Sequence, residues 1–496
     1  MLLTGFMVLI VTLCVYFICE GWLKNLLNPV AHPPKYIHSF NPIIGFGLKM
    51  TKNPIEFIQS LYFHHGNVFS ILLASKRYVF LFDERAYLGN VLRSEDLSID
   101  EFLNDLNVKG LGVSRDLLAN EFISRNQIRG FHRFLTGSHL QQLNARVERS
   151  LIRSMQFDDD LTMKRTHFFD FFGELMLFAG CEGLFGEDFT ARQREGSPSF
   201  YKLFQDFDKA YKMAAMSYPF WRYFHRGVYK NQQEFIRRFL SLNEFPDLSE
   251  LITDREQFFR DEQNQAIVSE HDVAALQASM LWAAVANTGP IVCWILFDIY
   301  LHDTALQAVI SEIERYINPN ESISTQQSLS QMTTLDSCIN ETMRRVFYAI
   351  STRQAVRKTE IECSDQTKIG LRKGDMLVYP AFLKHFDPEL FGPNPFEYQY
   401  DRFIAQNQAR PPPLMVFGCG THKCPGRFWA INEIKILIIL VLRHFSIRFI
   451  NRTNDDENRF RQRLPFDYSK FISTGGPTED QWAKFEIEYS YHGLPN

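Results

Sequence analysis

Residues 417–442 read "FGCGTHKCPGRFWAINEIKILIILVL", and this stretch decides the fold. Two cysteines, Cys419 and Cys424, stand among glycines and cationic side chains, and a long apolar run follows them. Glycine lets a backbone pass close to another group without a clashing Cβ. Backbone N–H groups and the start of a helix stabilise the negative charge of a thiolate. These surroundings suit a thiolate, and the apolar run predicts a helix packed behind the loop.

Two other uses of these cysteines stay open at this point. Zinc is one, but Cys419, His422 and Cys424 are too closely spaced to serve as ligands of a usual tetrahedral site. An inert cysteine buried in a glycine-rich turn is the other. The eight cysteines are scattered along the chain and do not form a disulfide framework, which favours a reducing compartment.

Composition sets broad limits. The chain has 496 residues, of which 45% are hydrophobic and 22% charged, and this is ordinary for a globular protein with a deep core. The net charge of −4 gives no reason to expect a nucleic-acid partner. The 46 phenylalanines favour large apolar interior surfaces and a bulky, apolar ligand.

The N-terminal residues 1–23 predict a single transmembrane anchor. They carry no charged side chain before Glu20, and about 20 apolar residues cross a bilayer as a helix. A cleaved signal peptide is the alternative, but the basic start and the small-residue cleavage site are missing. Lys24 and Lys35 follow the span, so the positive-inside rule places the main body of the chain on the cytosolic side. For a eukaryotic protein this is the cytosolic face of the endoplasmic reticulum membrane.

The rest of the chain predicts a linker and one large domain. Residues 24–48 hold four prolines and form a Pro-rich linker, and residues 49–496 form the main domain. Residues 69–82 predict a strand pair around a Ser-Lys turn. The pattern from about 100 to 350 is helical, and short strands return after it. The fold class is mainly α with a small β-sheet region.

The opening loop carries a recognisable spacing. It fits Phe-x-x-Gly-x-x-x-Cys-x-Gly at Phe417, Gly420, Cys424 and Gly426. This resembles the ligand loop of the cytochrome P-450 (haem-thiolate) superfamily. The resemblance implies the P-450 fold, haem b as cofactor and Cys424 as the axial thiolate ligand of its iron. It also implies that Phe417, Gly418 and Gly426 lie at the haem. His422, an alternative ligand, does not occupy the ligand position of the pattern.

A second stretch, "CINETMRRVF", holds Glu341 and Arg344, which share a helix face three residues apart. Taken alone, such a spacing is usually a solvated surface pair. The resemblance implies instead a buried triad of Glu341, Arg344 and Arg402 that holds the cysteine loop, a structural role. The motif around Arg402 reads "YDRF", so Tyr400 and Asp401 depart from the commoner Pro-Glu of the family.

A third stretch, "WAAVANTGPIVCW", predicts a kinked helix. Pro290 has no N–H, so the carbonyl of Ala286 loses its helical partner. The resemblance implies that this helix crosses the haem on the oxygen side and carries an acid followed by a threonine for proton delivery. The pair here is Asn287 and Thr288, which are the predicted catalytic residues; Thr288 keeps the hydroxyl, but Asn287 cannot ionise. A mere packing kink in a core helix is the alternative.

The haem carboxylates need cationic partners. The resemblance places Arg353 at a propionate, and "RNQIRGFHRFL" offers Arg129 and Arg133, although the usual Trp-x-x-x-Arg of the family is absent. The alternative for the last two is a basic face that docks an acidic redox partner. Three further residues near the loop could join that face: Lys423, Arg427 and Lys435.

The stretches "ANTGP", "FDPELFGPNPFEYQYDRF" and "CPGRFWAINEIK" resemble one branch of the superfamily, which holds the sterol 7α- and 12α-hydroxylases, the oxysterol 7α-hydroxylases and prostacyclin synthase. This implies a monooxygenase that inserts one oxygen atom from O₂ into a lipophilic substrate, a sterol or oxysterol. Electrons would come from NADPH through NADPH-cytochrome P-450 reductase, with cytochrome b5 as a second candidate donor. Two alternatives remain: an isomerase of a lipid endoperoxide, which Asn287 suits, and a non-catalytic haem-binding protein.

Overall fold

The computed structural model describes residues 29–39, 45–73, 76–156, 163–215, 221–318, 321–348, 350–404, 414–467 and 474–492. The anchor predicted at residues 1–23 lies outside this part of the chain. The linker predicted at residues 24–48 falls partly inside it, where an irregular segment precedes the first helix.

The described chain is mainly helical, as predicted. Its helices are α1 Gly47–Lys52, α2 Pro54–His65, α3 Glu84–Ala86, α4 Asp100–Leu111, α5 Arg115–Ala119, α6 Glu121–Phe134, α7 Gly137–Gln156, α8 Phe168–Phe185, α9 Glu187–Arg194, α10 Phe200–Ala215, α11 Trp221–Phe224, α12 Arg226–Arg237, α13 Glu250–Phe259, α14 Glu262–Gln265, α15 Glu270–Val285, α16 Thr288–Leu301, α17 Asp303–Tyr316, α18 Gln326–Ser330, α19 Thr333–Val346, α20 Pro388–Phe391, α21 Arg427–His444 and α22 Asn454–Gln462. A π-helical turn, Tyr87–Val91, follows α3, and 3₁₀ turns span Leu242–Glu244, Ala381–Phe386, Gly420–His422 and Glu479–Phe485.

The strands form three small sheets. They are β1 Val68–Leu73, β2 Lys76–Leu81, β3 Leu97–Ser98, β4 Lys164–His167, β5 Ser351–Ala355, β6 Thr359–Glu362, β7 Lys368–Leu371, β8 Met376–Tyr379, β9 Phe445–Phe449 and β10 Glu486–Tyr491. The largest sheet has the order β1-β2-β8-β5-β3, and the others are β4-β10-β9 and β6-β7. β1 and β2 pair antiparallel, which confirms the strand pair predicted over residues 69–82. β2 and β8 are parallel.

The core surrounds α16. This helix packs against α8, α19 and α21, and α21 also packs against α7. α8 and α16 are buried on nearly every side. A helix that is apolar all round belongs in the interior of a large protein. The cysteine loop leads directly into α21 and is therefore fixed to this core.

The helical run Glu270–Leu301 is long and apolar enough to cross a membrane, but 72% of its most apolar window is buried inside the protein. It is a core element, and it is interrupted where the sequence predicts a kink. α15 ends at Val285 and α16 begins at Thr288. Pro290 falls in the first turn of α16, where a backbone N–H has no intrahelical partner in any case.

Candidate active site

The cysteine loop is a compact turn closed by backbone hydrogen bonds. The Cys424 N–H donates to the Phe417 carbonyl at 2.8 Å. Gly418 and Gly420 have φ of 71° and 68°, a left-handed conformation that side chains other than glycine rarely adopt. The helix behind the loop begins at Arg427, so Pro425 precedes the first helical residue by two positions. The glycines therefore serve the shape of the turn itself.

Cys424 is half-buried and forms no disulfide. Burial raises the pKa of its thiol, while the N–H of Gly426, the charge of Arg427 and the N–H of Arg427 lower it. The Arg427 guanidinium also donates to the Cys424 carbonyl at 2.9 Å. The start of α21 thus directs donors and positive charge at this sulfur, which is the surrounding that a thiolate requires.

Arg353 lies beside the same loop. It is in β5 and only 5% exposed, and its guanidinium donates to the Thr352 carbonyl at 2.8 Å. Burial raises the pKa of Cys419 and the charge of Arg353 opposes this shift. Burial lowers the pKa of His422, and Arg353 adds to that effect. The structure therefore brings Arg353 to the loop that carries Cys424.

The structure also brings Glu341, Arg344 and Arg402 together. Glu341 and Arg344 are fully buried and paired by two hydrogen bonds, at 2.9 and 2.8 Å. Arg402 donates to Glu341 at 3.0 Å. The two guanidiniums also donate to backbone carbonyls of residues 385, 391, 395 and 397. The buried charges are thus matched by donors and acceptors on every side.

His385 connects this triad to the cysteine loop, although no sequence motif singled it out. Its carbonyl accepts from Arg344 at 2.7 Å, and its ring Nε2 accepts from the Met415 N–H at 3.3 Å, just before the loop. Burial and the nearby Arg344 lower its pKa to about 3. The ring is therefore neutral at physiological pH and keeps the lone pair that Met415 needs.

Asn287 and Thr288 lie at the break between α15 and α16. The Asn287 side-chain oxygen accepts from the Thr474 N–H at 3.0 Å, so it fastens the C-terminal segment to the break. The Thr288 hydroxyl donates to the Ala284 carbonyl at 2.6 Å. Ser279, Ala283 and Asn287 form a stripe at intervals of four residues that is not fully covered by protein. A flat group can approach the helix along this stripe of small side chains.

Arg129 and Arg133 stand apart from these residues. Both are on the exposed face of α6, and the guanidinium of Arg133 lies over the Phe134 ring at 4.8 Å. Lys435 does not belong to a basic surface: it is buried, and its ammonium binds Asp336 at 2.8 Å and the Leu329 carbonyl at 2.7 Å. The expectation that it joins a docking face is wrong, because it turns inward on α21.

Glu433 is a buried acid that the motifs did not single out. It lies on α21, is 1% exposed, and neither carboxyl oxygen has a hydrogen-bond partner among the described residues. One signal was present in the sequence. The positions three and four residues away on both sides are Trp429, Ala430, Ile436 and Leu437, so the acid stands on an apolar helix face.

A family model described as Cytochrome P450 matches residues 34–466, which include the cysteine loop, the triad and the helix break. The chain belongs to the cytochrome P450 family. It is therefore an oxidoreductase scaffold that carries haem on a cysteine thiolate and receives electrons from a redox partner. The mostly helical architecture with small sheets agrees with this fold.

Similar curated proteins align with this P450 over nearly its whole length. "Cytochrome P450 7B1" of Mus musculus is 25% identical over 87% of this chain and 88% of its own. "7-alpha-hydroxycholest-4-en-3-one 12-alpha-hydroxylase" of Oryctolagus cuniculus is 27% identical over 91% and 93%. "Cholesterol 7-alpha-monooxygenase" of Cricetulus griseus is 24% identical over 89% and 91%.

The residues of this P450 fit the haem that the family carries. Cys424 offers an unpaired thiol with backbone donors directed at its sulfur. Gly418 and Gly420 keep side chains out of the turn, and the small side chains along α15 leave a helix face accessible. A soft sulfur ligand of this kind suits haem iron.

Proposed function

We propose that this P450 is a membrane-bound monooxygenase that hydroxylates a sterol or an oxysterol. The observation that carries the oxygen chemistry is the Thr288 hydroxyl at the helix break, directly after the uncovered stripe of Ser279, Ala283 and Asn287. The substrate class rests on the names of the aligned relatives, which cover about nine-tenths of each chain.

In this proposal Cys424 holds the haem iron, and Phe417, Gly418 and Gly426 line the haem. Haem bound through a thiolate supplies the oxidising chemistry, because the electron density of the sulfur favours cleavage of the O–O bond. Arg353 pairs with one haem carboxylate, which its burial beside the loop supports. Arg129 and Arg133 have weaker support as further partners, since both side chains are exposed.

The protein side chains then position substrate and protons. Ser279 and Ala283 leave room for a flat, rigid, apolar molecule along α15. Asn287 keeps the C-terminal segment against the break through the Thr474 N–H. Thr288 holds a proton at its Oγ, donated to the Ala284 carbonyl, and can turn it toward the stripe. The triad of Glu341, Arg344 and Arg402 keeps the cysteine loop in place.

We further propose that residues 1–23 anchor the protein in the endoplasmic reticulum membrane, that residues 24–48 link the anchor to the haem domain at 49–496, and that this domain is cytosolic. Electrons come from NADPH through NADPH-cytochrome P-450 reductase, with cytochrome b5 as a second candidate. Lys24 and Lys35, which follow the anchor, support this orientation.

The test is turnover of the full chain in lipid vesicles with the reductase, NADPH and a mixture of sterols and oxysterols under ¹⁸O₂. We expect one heavy oxygen atom in the product of one substrate class. A parallel sample without NADPH receives a lipid endoperoxide. Rearrangement of the endoperoxide with no labelled sterol product would overturn the proposal in favour of an isomerase, and binding without turnover in either sample would favour a non-catalytic haem protein.

A matched pair of variants tests the ligand. Cys424→Ala should remove the thiolate-type Soret band of the reduced carbon monoxide complex, whereas Cys419→Ala, five residues earlier in the same loop, should keep it. If the band survives in the first variant or disappears in the second, the assignment of Cys424 is wrong.

A further inference from the structure

The ends of α9 and α12 form a cleft that shares no residue with the cysteine loop, the triad or the helix break. Its volume is about 320 Å³, within the range of roughly 300–1,000 Å³ that small-molecule sites occupy. Three arginines line it: Arg192 on α9, and Arg237 and Arg238 at the end of α12. The cleft is therefore large enough for a small molecule and rich in positive charge.

Arg238 is fixed by its contacts within the protein. Its guanidinium donates to Glu234 at 2.7 Å, to the Gln193 side-chain oxygen at 3.3 Å and to the Ser197 carbonyl at 3.3 Å. Gly196 lies against it, and a Cβ at this position would come within 2.2 Å of the Arg238 Nη1. This wall of the cleft is therefore preorganised, which lowers the entropy cost of binding a ligand there.

Gln193 is the buried polar group of the cleft. Its side chain is only 2% exposed, and its oxygen accepts from Arg238. Its amide nitrogen donates no hydrogen bond to any of the described residues, although Gln193 lines the cleft. Buried amide groups almost always have partners for their N–H donors. The two donors of this nitrogen are therefore available to an acceptor in the cleft.

Other donors of the cleft are also free within the part of the chain that the structure describes. Arg192 makes no ion pair there, and its guanidinium contacts the Phe245 ring at 5.8 Å. The Ser241 hydroxyl lines the cleft and makes no hydrogen bond to these residues. Arg237 binds Glu234 through its Nε and Nη2, at 2.7 Å each, which leaves its Nη1 unused. Donors from both helices thus meet in one space.

The charges around the cleft leave a positive surplus. Hydrogen bonds from Arg237 and Arg238 lower the pKa of Glu234 to about 2, so this acid stays ionised and neutralises one of the two. Glu195 is the acid that lines the cleft itself. Arginines in the last turn of a helix also stabilise the helix dipole. That role requires no cleft, and it gives no function to the free donors of Gln193.

A tetrahedral oxyanion matches this set of donors. A phosphate monoester presents three strong acceptor oxygens, and guanidiniums bind such oxygens in pairs. Glu195 is exposed, and its carboxylate can accept from hydroxyl groups on the rest of the ligand. We propose that the cleft between α9 and α12 binds the phosphate monoester of a hydroxylated molecule such as a sugar. The inference is independent of the proposed hydroxylation, because it uses no residue of the haem site.

Calorimetric titration of the haem-loaded full chain in phosphatidylcholine nanodiscs tests the site. The probe is glucose 6-phosphate, and glucose is the comparison that lacks the phosphate. We expect glucose 6-phosphate to bind and to raise the Tm, because a ligand that binds only the folded protein stabilises it. Glucose should do neither. Equal binding of the two sugars would show that the phosphate is not recognised and would overturn the proposal.

A matched pair of arginine variants locates the binding. Arg192→Gln should weaken the affinity for glucose 6-phosphate at least about tenfold, the loss expected for one hydrogen bond to a charged group. Its fold should be intact, since Arg192 is exposed and makes no ion pair with the described residues. Arg226→Gln makes the same change at the other end of α12 and should bind as the unmodified chain does. Unchanged affinity in Arg192→Gln, or an equal loss in Arg226→Gln, would contradict the proposal.

The same phosphate chemistry occurs on soluble sugar phosphates and on lipid headgroups, and two further samples distinguish these sources. Nanodiscs that contain phosphatidylinositol 4-phosphate replace the soluble probe. A rise in Tm in these discs that is lost in Arg192→Gln would assign the site to a lipid headgroup. A rise with glucose 6-phosphate alone would assign it to a soluble ligand. No rise that depends on Arg192 with either source would overturn the proposal.

Discussion

Two buried glutamates of this P450 avoid an uncompensated negative charge in the core in opposite ways. Glu341 is fully buried and accepts hydrogen bonds from Arg344, Arg402 and the Gln399 N–H. Glu433 is equally buried, and it has no hydrogen-bond partner among the described residues. The first carboxylate keeps its charge because cations neutralise it, and the second avoids charge by keeping a proton. A carboxylate paired with cations holds the structure together, whereas a buried acid without a partner makes stability depend on pH.

The largest expected effect follows from removing the charge of Glu341, which is paired with two arginines. Glu341→Gln leaves Arg344 and Arg402 buried without their counter-charge, which should lower the free energy of unfolding by about 3–5 kcal/mol and release haem. Urea unfolding followed by haem absorbance measures this. Glu433→Gln is the matched control, since it alters a glutamate that is buried as deeply. Equal losses in the two variants would end the distinction between the two sites.

Glu433 should instead lower the stability of the folded protein as pH rises. Burial raises its folded pKa to about 8, above the ordinary 4.5, so between these values the unfolded chain loses a proton that the folded protein keeps. Stability of the unmodified protein therefore falls as pH increases through this range. Glu433→Met should be the more stable protein by about 1–3 kcal/mol at pH 8. The difference should shrink toward pH 5, and a constant difference in urea unfolding would argue against a neutral acid.

His385 gives an effect with the opposite dependence on pH. Its folded pKa of about 3 lies below the ordinary 6.5, so as pH falls below 6.5 the unfolded chain gains a proton that the folded protein refuses. Stability should fall with pH by at most about 1.4 kcal/mol per unit in this window. His385→Gln keeps an acceptor for the Met415 N–H and does not titrate. Its thermal unfolding should lose part of this acid sensitivity, and identical pH profiles would contradict the role of His385.

The smallest expected effect on stability is at the helix break. Asn287→Asp keeps an oxygen for the Thr474 N–H and should change the free energy of unfolding by less than about 1 kcal/mol. Asn287→Leu removes that acceptor and should cost about 1–3 kcal/mol. Urea unfolding of the two variants measures both changes, and equal losses would contradict the role of the hydrogen bond from the Thr474 N–H.

The sequence predicted the features that depend on local chemistry. The absence of an N–H on Pro290 was enough to place the interruption at residues 286 and 287. Two apolar runs on either side of a Ser-Lys pair were enough to predict β1 and β2. The meeting of Glu341, Arg344 and Arg402 was implied by the family pattern, and Arg353 lies beside the cysteine loop as that pattern suggests.

Other features depend on contacts between distant segments and have no local signature. His385 matters because its ring meets the Met415 N–H, thirty residues later. Charge suggests Arg129 and Arg133 as haem partners, but charge does not reveal that their face of α6 is exposed. Charge also suggests a surface position for Lys435, but the orientation of α21 turns it toward Asp336. Burial of this kind follows only from the packing of whole helices.

The strand pairing also sets the order in which the chain can fold. Tyr78 in β2 pairs with Met376 in β8, and Thr166 in β4 pairs with Ile487 in β10. Contacts between such distant segments close late, because the loop entropy must be overcome before they form. During synthesis, β4 must therefore wait until β10 has left the ribosome. Until then Phe169 and Phe171 on α8 lack their ring contacts with Phe485 and Tyr489, which makes chains cut short before β10 candidates for aggregation and for capture by chaperones.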